Sequence, residues 1–135
     1  MRNIFLTVIF SMLTMLSSAQ KDKYQLSSHI LDISKGAPVS GVTIKLEHYM
    51  EKSKTWSFVD EKITDKDGRI SDFLSSDKSN LGIYKLTYYT SNYFKKSGME
   101  SFYPFIEVVF QIKDANHYHV PITLSAFGYS TYRGN

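Results

Sequence analysis

At 135 residues, with 16 Lys+Arg against 13 Asp+Glu, the chain has room for one domain around one core. Its formal charge of +3 is carried by lysines scattered among acids, which argues against the basic stripe of a nucleic-acid binder, and the absence of cysteine excludes a disulfide framework. Ten Tyr and nine Phe favour strands and large buried contacts.

The first element is a leader. "MRN" carries one arginine, "IFLTVIFSMLTML" is a 13-residue apolar run, and "SSAQ" supplies small residues around Ala19. This is the order of a secretory signal peptide. The run falls short of the roughly 20 apolar residues a spanning helix needs. Residues 1–19 are therefore expected to be removed on export to the periplasm or the exterior. Residues 20–135 remain as the working domain, with no membrane anchor.

Beyond the leader, period-two alternation recurs and helical periodicity is nearly absent. "YQLSSHILDI" reads as a first strand, ended by the Gly/Pro/Ser turn "SKGAPVSG". "VTIKLEHYM" alternates with Val42, Ile44 and Leu46 on one face. "TWSFVDEKIT" follows, then the turn "DKDGR" pivoting on Asp67-Gly68, then a short piece at "RIS". "SDFLSSDKSN" reads as irregular and "GIYKLTYYT" as extended. "SNYFKKSGM" is the one expected helix, capped by Ser91 or Asn92 and closed by Gly98. "PFIEVVFQIK", "HYHVPITLS" and "YSTYR" complete about eight strands, a spacing that predicts a sandwich or barrel.

Parity sorts the faces. In "HYHVPITLS", Tyr118, Val120, Ile122 and Leu124 form the core face, so His117, His119, Pro121 and Thr123 point outward. In the first strand Leu26 and Ile30 share one face, and Ser27, His29 and Leu31 the other. If these strands are neighbours, His29 and His119 lie together on the outer face of one sheet. A face bearing His, Pro and Leu fits the wall of a groove between packed subunits better than an open surface. Pro121 lacks a ladder donor, so a local irregularity is expected there. His48, near the end of the Val42/Ile44/Leu46 face, reads as a structural histidine.

"SSHILD", "DGR", "HYHVPITLS" and the closing "GYSTYRG", in this order and at these spacings, resemble the transthyretin-like family, and more narrowly its 5-hydroxyisourate hydrolase branch. The likeness runs from about Tyr24 to Asn135. It implies a transthyretin-like two-sheet antiparallel sandwich of seven to eight strands with one short helix, assembled as a homotetramer, a dimer of dimers. The implied activity is hydrolysis of the purine-derived small molecule 5-hydroxyisourate to 2-oxo-4-hydroxy-4-carboxy-5-ureidoimidazoline, in a channel where outer sheet faces meet, without a cofactor. His29, Arg69 and His119 correspond to the catalytic positions. His117, Tyr132, Arg133, Gly134 and Asn135 are expected to contact substrate, with Asn135 departing from the serine usual there. The terminal Arg133-Gly134 is expected to pack beside the channel. Hormone-carrying transthyretins share the fold but lack the two histidines, the DGR arginine and the Tyr-Arg-Gly ending.

The residue types suit the chemistry. Opening a cyclic amide-like C–N bond needs water deprotonated, an oxyanion stabilised and the leaving nitrogen protonated. Imidazole, with an unperturbed pKa of about 6.5, serves proton transfer, and a guanidinium clamps an anion or oxyanion. Two rival readings accompany this one. A carrier would use the channel without turnover, and a zinc site would take His117, His119 and His29 as ligands. The two arginines oppose the zinc reading by repelling a cation.

Overall fold

The computed structural model describes residues 22–135, so the expected leader lies outside the described residues. Within them, nine strands and one helix run in the order β1 (Tyr24–Asp32), β2 (Ala37–Pro38), β3 (Thr43–Met50), β4 (Thr55–Ile63), β5 (Arg69–Ser75), β6 (Gly82–Tyr88), α1 (Ser91–Lys96), β7 (Ile106–Ile112), β8 (Tyr118–Ser125) and β9 (Gly128–Thr131). No helix among the described residues is long and apolar enough to cross a membrane.

The strands form two sheets. One is ordered β2-β1-β8-β9, with β5 also pairing β1; the other is β4-β3-β6-β7. The alternation anticipated for β1, β3 and β8 is what closes the sandwich. Leu26, Ile30, Ile122 and Leu124 of one sheet meet Ile44, Leu46 and Leu86 of the other, all with no exposed surface. At about 25 cal/mol per Å² of apolar surface removed from water, such side chains supply the main stabilisation of a fold without disulfides. One polar tie crosses this core. The Tyr88 hydroxyl lies 2.9 Å from Ser28 Oγ and donates to the Val120 carbonyl at 3.1 Å, and Ser28 Oγ donates to the same carbonyl at 2.8 Å. Burial holds the Tyr88 phenol far above its ordinary pKa, so it stays neutral.

The structure departs from the sequence reading in four places. β1 and β8 run parallel, whereas every other paired strand is antiparallel. Alternation reports which face a residue takes, not which way its neighbour runs. β5 extends through Asp72, Phe73 and Leu74 to Ser75, where an irregular stretch was expected. Its alternation is masked by a bulge, since its register with β1 shifts between Leu26 and Ser28, and by a positive φ of 57° at Leu74. The helix is entered from Thr90 rather than Ser91 or Asn92, and without a side-chain cap bond. A two-residue strand, β2, adds a ninth to the expected count.

The irregularity expected at Pro121 takes a specific form. β8 pairs β9 as far as Ile122–Thr131, and pairing resumes only as an isolated bridge between His119 and Gly134. The gap falls where proline has no N–H to give. His48 lies with its ring 4.8 Å from that of Tyr84 and against the backbone of Gly82, consistent with a packing role.

Candidate active site

The parallel pairing of β1 with β8 sets Ser27 beside His119 and His29 beside Pro121, all on the face turned away from the core. On the other edge of β1, β5 begins opposite the same place, with Arg69 registered to His29. Three strands distant in sequence thus bring two imidazoles and a guanidinium to one patch.

The turn that delivers Arg69 is built by Asp65. Its Oδ1 accepts the backbone N–H of Asp67 at 2.8 Å and of Arg69 at 3.0 Å, while its carbonyl accepts the Gly68 N–H at 2.9 Å. The Arg69 amide holds the Asp65 carboxyl below its ordinary pKa range. Gly68, at φ +71°, lies directly under β1. Its carbonyl accepts the Ile30 N–H at 3.0 Å, and a Cβ there would fall 2.8 Å from the Ile30 carbonyl oxygen. Glycine is the residue this approach and this φ permit.

The histidines are half-buried, and both have pKa values lowered from the ordinary 6.5. For His119 burial is the largest cause, followed by the charges of Arg69, His29 and His117. For His29 burial again leads, then Arg69, while the Asp67 backbone and the Asp65 carboxylate act in the opposite direction. Desolvation and a nearby cation both disfavour the imidazolium, so both rings are neutral at neutral pH and able to accept a proton.

His117 and His119 do not stand free. Ser27 Oγ sits 2.8 Å from His117 Nε2 and 2.8 Å from His119 Nδ1, and His117 Nδ1 lies 2.9 Å from the Tyr24 carbonyl oxygen. Both ring nitrogens of His117 are therefore engaged within the chain. Among the described residues no group of three His, Cys, Asp or Glu side chains is disposed to hold a metal. Ser27 was placed on the histidine face by parity but was given no role; a hydroxyl two residues before His29 on the same face was the available signal. Asp32, which closes the "SSHILD" stretch, is structural. Buried, it accepts the amides of Ser34 and Lys35 and the Tyr93 hydroxyl, at 2.8, 3.2 and 2.5 Å.

The C-terminal segment divides. Gly134 donates its N–H to the His119 carbonyl at 2.8 Å and lies against the imidazole itself, where a Cβ would come within 2.5 Å of His119 Cδ2. Arg133 faces elsewhere. Its guanidinium lies 4.4 Å over the ring of Tyr118, a core-face residue, and it lines a cavity of about 470 Å³ with Tyr132 and Thr131. Within one chain Arg133 and Tyr132 are thus not brought to the histidines, and Asn135 is exposed. His29, Arg69, His117, His119 and Gly134 are brought together.

Comparison with known proteins places this arrangement. Residues 26–134 match the model of the HIUase/Transthyretin family. The 5-hydroxyisourate hydrolase of Salmonella dublin is 39% identical over 136 residues, covering 99% of this chain and 98% of the relative. The solved 5-hydroxyisourate hydrolase of Klebsiella pneumoniae superposes with a TM-score of 0.70 at 37% identity, over 82% of this chain and 98% of that one. Sea bream transthyretin, solved with thyroxine, superposes with a TM-score of 0.76 at 28% identity, over 82% of this chain and 94% of that one. Backbone shape is thus shared by a hydrolase and a hormone binder alike, and the side chains must tell them apart. On sequence and fold together, the chain belongs to the HIUase/transthyretin family.

Proposed function

We propose that this protein hydrolyses 5-hydroxyisourate to 2-oxo-4-hydroxy-4-carboxy-5-ureidoimidazoline, a step of urate degradation. The observation that supports this is the convergence of two neutral, half-buried histidines with Arg69 on one sheet face, in a chain about 40% identical to hydrolases of that name. A water oxygen bonds to the ring carbonyl carbon as an imidazole takes its proton. The ring C–N bond then breaks, and the proton passes to the leaving nitrogen. Arg69 meets the developing oxyanion or the anionic substrate with its paired N–H donors.

The test generates 5-hydroxyisourate in place by urate oxidation and follows its ultraviolet decay. The wild type is expected to accelerate decay, and His29→Asn or His119→Asn to lower the rate on the order of 10²-fold or more, the usual weight of acid–base catalysis. Ligand binding with decay no faster than in buffer would make the protein a carrier. Full rate in both variants would remove the histidines from the reaction.

The assembly belongs to the same proposal. The histidine face is the wall of a channel roofed by a second protomer, within a homotetramer in which Tyr132, Arg133 and Asn135 reach substrate. Light scattering on the purified chain should give four times the protomer mass, and a monomer would overturn this part. Export with loss of residues 1–19 completes it. Intact mass of the protein recovered from outside the inner membrane should correspond to a start at Gln20.

A further inference from the structure

We propose that Ser27 and His117 are positioning residues that hold His119 in a single tautomer, with the proton on Nδ1 and Nε2 bare, and so make His119 the general base. This rests on the hydrolase reading and deepens it. One chain of contacts fixes where each hydrogen sits. A carbonyl oxygen only accepts, so the 2.9 Å contact with Tyr24 places a hydrogen on His117 Nδ1. A neutral imidazole carries one N–H, which leaves His117 Nε2 as an acceptor. Ser27 has one hydroxyl hydrogen, and it goes to that nitrogen at 2.8 Å. Its oxygen must then accept from its other neighbour at 2.8 Å, and that places the hydrogen of His119 on Nδ1.

His119 Nε2 makes no hydrogen bond among the described residues. The groups that bear on this ring are Ser27 and His29 from β1, Arg69 from β5, His117 from the residue just before β8, and Gly134 from the C-terminal segment. None of them offers a carboxylate to His119; the one carboxylate along the chain of contacts, Asp22, has its Oδ2 3.9 Å from His117 Nδ1 and, as an acceptor, favours the same hydrogen there. When Nε2 takes a proton, the imidazolium is already donating through Nδ1 to Ser27, so no bond has to reverse during the reaction. His29 has no comparable chain; its ring is drawn to the Asp67 backbone. The register with β5 slips opposite Ser27, so two β5 residues face this one position. That bulge is the local irregularity commonly found beside active sites.

The experiment uses the full chain with ¹⁵N-labelled histidine, and long-range proton–nitrogen correlation at about pH 8, where imidazole is uncharged. In the wild type His119 is expected as the Nδ1–H tautomer. Ser27→Ala should release that preference and lower kcat by roughly 10- to 10²-fold, with KM changed by less than about twofold. Ser27→Thr, which keeps the hydroxyl, should restore both tautomer and rate. The wild-type spectrum needs no variant to fold. An Nε2–H His119 in an active enzyme, or full kcat in folded Ser27→Ala, would overturn the wiring alone. Absence of turnover by the wild type would overturn the hydrolase reading, and the base assignment with it.

Discussion

At the scale of single residues, the histidines owe their readiness to what surrounds them. His119 and His29 are lowered first by burial and then by Arg69. A base with a depressed pKa keeps its lone pair as pH falls, so the acid limb of kcat/KM should lie below about 6.5, the ordinary histidine value. Arg69→Gln removes the second cause but leaves the first. The limb should then move up only part of the way, while the rate falls for want of the guanidinium; an unmoved limb would mean Arg69 does not act on the histidines. Gly134 tests position rather than charge. Its backbone is unstrained, but a methyl group there would stand 2.5 Å from His119 Cδ2. Gly134→Ala should therefore turn the imidazole and cost about tenfold or more in kcat, as small misplacements of a base do, with little change in Tm. A normal kcat would show that the ring has room to yield.

At the scale of elements, the "DKDGR" turn is the part on which the site most depends. Gly68→Ala places a Cβ in the left-handed region at φ +71° and drives it against Ile30 and Val39. The conformational term alone is about 1–2 kcal/mol, so Tm should drop by roughly 4 °C or more, and Arg69 should be displaced with it. Retention of both Tm and activity would mean the turn can re-form around a side chain. Much of this was legible beforehand. Alternation in β1 and β8 put Ser27, His29, His117 and His119 outward and Leu26, Ile30, Val120 and Ile122 inward, and each lies on its expected face. The direction of the β1–β8 pairing was not legible, because period two is the same in parallel and antiparallel strands. The full length of β5 was hidden by its bulge. The separation of Arg133 from Gly134 was hidden as well. Consecutive residues of a strand point to opposite faces, but the break in pairing at Pro121 leaves no continuous ladder from which to project that alternation through the last residues.

For the whole molecule, the same two histidines couple stability to acidity. Their folded-state pKa values lie below 6.5, so as pH falls through about 6.5 the unfolded chain takes up protons that the folded chain refuses. Stability is thus fully present above that value and declines below it, until the folded histidines titrate as well. Asp65 and Asp114, whose pKa values are lowered, act in a separate window, losing their contribution only as pH falls below about 4. Thermal unfolding at fixed protein concentration should therefore show Tm falling between pH 7 and 5, and His29→Asn with His119→Asn should flatten that slope. A slope unchanged in the double variant would assign it to other groups.

The partnership of β1 with β8 has a bearing on how the protein is made. Ser27 meets His117 and His119 across separations of 90 and 92 residues, so nearly the whole domain must be synthesised before those contacts can exist. Until then β1 waits with one long edge unpaired and its apolar side uncovered, the condition in which nascent chains adhere to one another. Fragments released by the ribosome before Tyr118 would lack β8 and leave β1 uncovered, so they would be both inert and prone to clump.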